Sequence, residues 1–335
     1  MRFRSALPLV VLLFLLLACQ FSSQGRTPAS PQLSTIVAGT LTAYASTPRL
    51  PWLSPTLAPP FTPLPTFTLT ATPSVSLTAQ AAPIPQPAGE VTILLMGSDQ
   101  RPGAQDFRTD TILLVVLKPD GSAGLISFPR DLWVYLPGRS MDRINAAQED
   151  GGFKLVQSTF QYNFGFTPQS YILTTFNGFR TIVDSLGGID VQVGQTLTDA
   201  RAGYRKGFTV KPGLVHMDSE TALWYVRARK TTSDLDRLRR AQEVILAIGK
   251  KLLTLNSLAR IAVFYADFHS VVVTDLTPQN VSTLLPVLEP VDPNKVQRYT
   301  IGIEQVTPFV TSGGADVLLP RPDAIRQVLL QALGN

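Results

Sequence analysis

"VTILLMGSDQRPGAQDFRTDTILLVVL", residues 91–117, holds two short apolar runs around a polar loop. Val91–Gly97 and Thr111–Leu117 are too short for helices, and turn residues bound them, so each reads as a buried strand. A third run, "GLISF" (Gly124–Phe128), follows Pro119-Asp120-Gly121, which is turn chemistry. Downstream the pattern alternates. A helix is predicted from about Gly152 to Asn163, then a strand "SYILTTF", then a helix "NGFRTIVDSL" stopped by Gly187-Gly188. "IDVQV" is another short strand. Asp218 and Ser219 can cap a helix entering "ETALWYV". Ser233-Asp234 start a long helix over Leu235–Leu253, with Leu235, Leu238, Val244, Ile245, Ile248 and Leu252 on one apolar stripe. Beyond Asn256 a further helix, a strand "HSVVVTDL" and a helix starting near Pro278 are expected. Strands alternating with helices define an α/β sandwich around a largely buried sheet.

The first 89 residues read differently. Arg2 and Arg4 precede an apolar stretch, Ala6–Leu17, which is short for a spanning helix but suits a secretory leader. It ends in Leu16-Leu17-Ala18-Cys19, which resembles the bacterial lipobox, whose cysteine is acylated. The alternative is an uncleaved anchor with an incidental cysteine. Both place the remainder outside the cytoplasm and next to a membrane. Residues 20–89 hold 13 of the 27 prolines and two charges, Arg26 and Arg49. That composition suits a disordered tether of roughly 50 Å as a coil or roughly 200 Å fully extended. The expected organisation is a leader with lipobox (1–19), a tether (20–89), a catalytic core (90–255) and a C-terminal part packing on it (256–335).

Composition limits the chemistry. Net charge is +5, too little to argue for nucleic acid. One cysteine excludes disulfides within the chain, and with two histidines, His216 and His269, it nearly excludes a Cys/His metal site. Neither histidine neighbours a candidate acid or base. Arginine outnumbers lysine 21 to 8, which suits bidentate phosphate contacts.

Three polar clusters lie where apolar runs meet turns. Asp99 follows the first strand and Asp110 precedes the second, so a ten-residue connection can bring both to one sheet edge, with Arg108 beside them. Two carboxylates without histidine suit a hard cation completed by water and phosphate oxygens. Arg130 and Asp131 follow the third strand, with Pro129 fixing its exit, and Arg143 and Asn145 form a further polar patch. The third cluster is "ALWYVRARK" (Ala222–Lys230) with "SDLDRLRRAQ" (Ser233–Gln242). If Arg227 and Arg229 stand on extended chain, they share a face and form a phosphate fork. Arg237 lies in the first turn of the long helix, whose positive end attracts anions.

The order and wording of "LLMGSDQR", "RTDTILLV", "ISFPRDLWVYLPG", "DRINAAQEDGG", "GFRTIVDSLGGIDVQV", "ALWYVRAR" and "DLDRLRRAQEVI" resemble the LytR-CpsA-Psr (LCP) family over about Val91–Leu253. The resemblance implies a central, mostly mixed β-sheet flanked by helices on both faces, with an apolar lipid pocket. It implies an extracytoplasmic phosphotransferase that moves a glycopolymer from a polyprenyl-pyrophosphate carrier onto peptidoglycan. Asp99 and Asp110 would hold Mg2+ (or Mn2+). Arg108, Arg130, Arg143, Arg227, Arg229 and Arg237 would grip the pyrophosphate, Asp234 would orient Arg237, and Gln242 would add a contact. The chain departs from the family at Ala241, where many members have glutamine, and at its lipobox, where most have a transmembrane helix. Arg143 stands where lysine is frequent. Two other functions use the same residues: a polyprenyl-pyrophosphate phosphohydrolase, and a non-catalytic binder of the lipid carrier.

Overall fold

Turn chemistry sets the first half of the sheet. In the computed structural model, β1 (Val91–Ser98) and β2 (Thr109–Leu117) run antiparallel, with Leu95 opposite Leu113. The next turn closes through Lys118 and Ser122, with Gly121 at a φ of 81° and the Asp120 carboxylate accepting from the Ser122 backbone N–H at 2.8 Å. It leads into β3 (Ala123–Phe128). A small hairpin, β4 (Trp133–Tyr135) and β5 (Met141–Arg143), precedes α1 (Ala147–Phe164). The expected start of this helix, Gly152, is where its backbone breaks: Gly152 has a φ of 63°, so α1 begins one turn earlier and resumes beyond it.

The chain continues through β6 (Ser170–Thr175), α2 (Phe176–Ser185), β7 (Ile189–Val193), β8 (Leu197–Arg201), β9 (Tyr204–Val210), β10 (Gly213–Met217) and α3 (Ser219–Arg227). The Asp218 carboxylate caps α3 by accepting from the Thr221 N–H at 2.8 Å, as its position in the sequence indicates. Then come α4 (Asp234–Thr254), β11 (Val272–Thr274), α5 (Pro278–Leu288), β12 (Gln297–Thr300), β13 (Val306–Val310), β14 (Asp316–Pro320) and α6 (Pro322–Leu333). The structure describes residues 80–101, 106–229, 233–254, 270–288 and 290–334, all within one unit, Thr70–Asn335. The leader, Cys19, most of the tether, the helix expected just beyond Asn256 and His269 lie outside the described residues. Among the described residues no helix is long and apolar enough to cross a membrane.

Six strands form the central sheet in the order β11-β6-β1-β2-β3-β12. It is mixed, because β1–β6 and β3–β12 pair in parallel while the remaining neighbours are antiparallel. Side-chain alternation divides its faces. Leu94, Met96, Leu114, Val116, Ile126 and Phe128 pack with Phe160 and Phe164 of α1 and Leu329 of α6. On the other face Ile93 meets Leu276 and Leu284, and α4 lies across β2 and β3. A second core joins Val191, Met217 and Tyr225 to Val244 of α4.

Two expected boundaries move. Residues 80–89 carry the proline-rich signature of the tether, yet they dock on the core. Ile84 is buried, and the N–H groups of Ala81 and Ile84 donate to the carbonyls of Tyr162 and Gly165 at the end of α1. The C-terminal part does more than pack on the core: β11 and β12 are the two edges of the sheet itself.

Candidate functional site

The sheet register creates the site. A bulge at Gly97/Ser98 ends the β1–β2 ladder, and beyond it the Asp99 carboxylate accepts from the Arg108 N–H at 2.7 Å. The loop between them is thereby pinned to the sheet edge. Asp110 is the second residue of β2, and Arg130 leaves the C-terminal end of β3 beside it. Arg130 donates from Nη1 to Asp110 Oδ1 at 2.8 Å and from Nε to Asp131 Oδ2 at 3.3 Å. The other oxygen of Asp131 lies 3.3 Å from Arg143 Nε, and Arg143 also donates to the Asp316 carbonyl at 2.9 Å. Arg229 approaches Asp110 Oδ2 at 3.8 Å.

These groups line a cavity of about 380 Å³. Four arginines, Arg108, Arg130, Arg143 and Arg229, face four aspartates, Asp99, Asp110, Asp131 and Asp142, with Asn145 among them. Formal charge in the lining therefore cancels. The donor set holds carboxylate oxygen but no histidine or cysteine, which fits a hard cation finishing its shell with water and ligand oxygens. Among the described residues no three such side chains are placed to share one ion, so most of that shell would come from outside the protein.

Arg237 stands behind the cavity on the first turn of α4. Its side chain is 11% exposed, and its ion-pair contact to Asp234 is long, 3.5 Å. Burial pushes its pKa down first, and the positive charges of Arg130 and Arg229 push it further, against the pull of Asp234 and Asp110. Arg130 behaves oppositely. Burial again opposes its charge, but Asp110, Asp131 and Asp234 outweigh that and raise its pKa. Arg130, Arg229 and Arg237 thus lie within one another's fields, with Asp110, Asp131 and Asp234 set against them.

Three expectations need correction. Arg227 and Arg229 do not form a fork. Arg227 is the last residue of α3, whose C-cap Ala228 turns extended (φ −57°, ψ 136°), so the two side chains diverge. Arg229 enters the polar cavity, whereas the Arg227 guanidinium stacks over the Phe176 ring at 4.3 Å and lines a neighbouring cavity. Gln242 is 2% exposed and spends its amide on Ser127 Oγ (2.9 Å) and the Tyr299 carbonyl (2.7 Å), tying α4 to β3 and β12. It is a strut of the sheet and lines neither cavity. Asp234 and Arg237 also lie outside the cavity lining, as a second layer.

Glu149, Asp142 and Asp199 also belong to these contacts, although no sequence motif marks them as site residues. Glu149, within "DRINAAQEDGG", takes the Arg108 guanidinium and the Phe107 N–H, so it fixes the loop that carries Arg108. Asp199 accepts from the Arg229 N–H at 2.5 Å. No local pattern marks Asp199, which reaches the site from a hairpin thirty residues away. His216 pairs with Asp190 on the solvent-facing side of the β7–β10 ribbon and lines neither cavity.

An arginine-rich, carboxylate-bearing cavity lies where the antiparallel neighbours β1, β2 and β3 of an α/β sheet bring Asp99, Asp110 and Arg130 to one edge, an arrangement whose guanidiniums suit an anion. The chain belongs to the LytR_cpsA_psr family, whose model matches residues 68–328. It is 32% identical over 204 residues to the polyisoprenyl-teichoic acid–peptidoglycan teichoic acid transferase TagU of Oceanobacillus iheyensis, covering 58% of this chain and 62% of that one. It is 31% identical over 191 residues to TagU of Bacillus mycoides, covering 56% and 60%. The matched stretch thus spans about three fifths of the relatives' length. Among solved structures, TagV of B. subtilis superposes with a TM-score of 0.62 at 25% identity, over 73% of this chain and 97% of TagV.

Proposed function

We propose that this protein is an extracytoplasmic phosphotransferase. It moves a glycopolymer from a polyprenyl-pyrophosphate carrier onto peptidoglycan, held at the membrane through Cys19. The observation that carries the reading is the cavity in which Arg108, Arg130, Arg143 and Arg229 gather around the carboxylates of Asp99 and Asp110. A pyrophosphate diester brings about two negative charges, and a divalent cation on Asp99 and Asp110 balances them. The TagU relatives, by name, act on a polyisoprenyl-linked polymer and peptidoglycan. The half-buried Leu95, Val115 and Ile172, on the sheet's second face, offer aliphatic surface for the start of an isoprenoid chain.

In this reading Arg130, Arg229 and Arg108 hold the pyrophosphate oxygens, and Arg237 adds potential from behind. An acceptor hydroxyl attacks the sugar-bearing phosphorus, the bridging P–O bond breaks, and polyprenyl monophosphate departs. Little covalent work falls to the protein, so positioning and charge supply the acceleration. When bound, Mg2+ or Mn2+ neutralises charge on the phosphate oxygens.

The test is equilibrium binding of a short polyprenyl-pyrophosphate saccharide to the full chain in detergent micelles. Binding is expected, tighter by about tenfold or more with Mg2+ than with chelator. Equal binding in both conditions removes the metal from the account, and no binding by folded protein removes the lipid-pyrophosphate ligand.

A further inference from the structure

A second cavity, of about 480 Å³, opens between α2, α3 and the β8–β9 hairpin. It shares a wall with the pyrophosphate cavity, the segment Arg227-Ala228-Arg229. Arg227 and Ala228 line the second cavity, Arg229 lines the first, and Asp199, on the second, accepts from the Arg229 N–H. A ligand seated here lies across that segment from Arg229, which approaches Asp110 at 3.8 Å.

The lining is chemically mixed. Tyr204 stands at the rim, 49% exposed. It begins an edge-to-face run to Phe208 (4.8 Å) and on to Trp224 (4.9 Å). Trp224 is held in place because its indole N–H donates to the Ala200 carbonyl at 2.9 Å. The Arg201 guanidinium stacks over Phe208 at 4.3 Å, while Arg180 pairs with Glu220 at 2.5 Å across the opposite side. Rigid aromatics with a few placed charged groups form a binding site that fixes orientation. A sugar ring matches this: its C–H face packs on an aromatic ring, and its edge hydroxyls meet carboxylates and guanidiniums. An isoprenoid would require a mostly aliphatic lining. Three arginines, Arg180, Arg201 and Arg227, against Asp199 and Glu220 favour a saccharide with an acidic substituent.

We propose that this cavity is a saccharide subsite, positioning either the wall acceptor or the first sugar of the donor against the pyrophosphate. The proposal rests on the phosphotransferase reading for its role in turnover. Both sources share the ring chemistry, and kinetics distinguish them.

The experiment uses the full chain in detergent micelles, wild type, Tyr204→Ala, Tyr204→Phe and Glu220→Gln. Acceptor oligosaccharide and lipid-linked donor are varied separately, with thermal unfolding as a check on folding. Tyr204→Ala is expected to raise one saccharide KM about tenfold with kcat within about twofold, and Tyr204→Phe to restore most of it. A rise in acceptor KM assigns the subsite to the wall fragment. A rise in donor KM, without change in the affinity for sugar-free polyprenyl pyrophosphate, assigns it to the donor glycan. Unchanged KM values for both, in folded Tyr204→Ala that still turns over, overturn the subsite. If wild type shows no transfer, the phosphotransferase reading fails instead. Equilibrium binding of the oligosaccharide then decides the subsite: weaker binding by Tyr204→Ala supports it, and equal or absent binding overturns it.

Discussion

Replacing Arg130 with alanine is expected to lower kcat/KM for the lipid-pyrophosphate donor by about two to three orders of magnitude, with little loss of fold. Arg130 is the hub of the polar cavity. It pairs with Asp110 and Asp131 at once and is the cation those carboxylates were folded around. Without it, Asp110 keeps only the longer contact to Arg229 and Asp131 only that to Arg143, and the neutral cavity turns negative where a dianionic ligand must sit. The effect combines a lost donor with added repulsion. Arg130→Lys is expected to recover only part of the loss, because an ammonium has no fork with which to span both carboxylates and phosphate. Steady-state kinetics and a melting curve for the same preparations separate the two contributions. Activity within about threefold of wild type would place the anion elsewhere.

Arg240→Met is expected to lower stability by about 3 kcal/mol, a fall in Tm of roughly 6–12 °C. Arg240 is 1% exposed, yet it touches no cavity. Its guanidinium donates to the carbonyls of Tyr225 and Ala228, the latter at 2.7 Å, and its Nε to the Asp236 carbonyl at 3.3 Å. The Tyr225 and Ala228 carbonyls lie at the end of α3, where intrahelical partners run out. Removing the side chain leaves buried acceptors unpaired and loosens the segment that presents Arg227 and Arg229. Specific activity per folded molecule should therefore fall as well. Chemical denaturation of wild type and variant measures the first effect, and an unchanged midpoint would show that water or rearranged backbone satisfies those groups.

Arg240 also shows why the site was only partly legible in the sequence. The strands β1, β2, β3, β6 and β7 and the helices α2, α3 and α4 follow from local pattern: length, alternation, caps and turn residues. So does the meeting of Asp99, Arg108 and Asp110 at one edge, because a loop of about ten residues joins the first two strands, whereas Arg130 joins them only through the family resemblance. The end of α3 does not follow. It is set by a guanidinium from the next helix, and that decides whether Arg227 and Arg229 share a face. Gln242 is another such case. Five residues beyond Arg237, it lies about 140° round the helix from it, and only the sheet order shows that this side meets Ser127 and Tyr299. Residues 80–89 look like tether by composition, since the carbonyls that hold them lie at the far end of α1. The β8–β9 hairpin carries few apolar alternations of its own and is stabilised by Trp224 and Thr221 of α3, through Ala200 and Arg201.

Transfer itself is the central claim, and product analysis tests it most directly. The full chain in detergent is incubated with Mg2+, a polyprenyl-pyrophosphate glycan labelled in its sugar-bearing phosphate, and a soluble peptidoglycan fragment. The account predicts label in the wall fragment through an acid-labile phosphodiester, with polyprenyl monophosphate released in equal amount. Label appearing only as free glycan phosphate, at the same rate with or without the wall fragment, would contradict it and make the protein a hydrolase built on the same arginines.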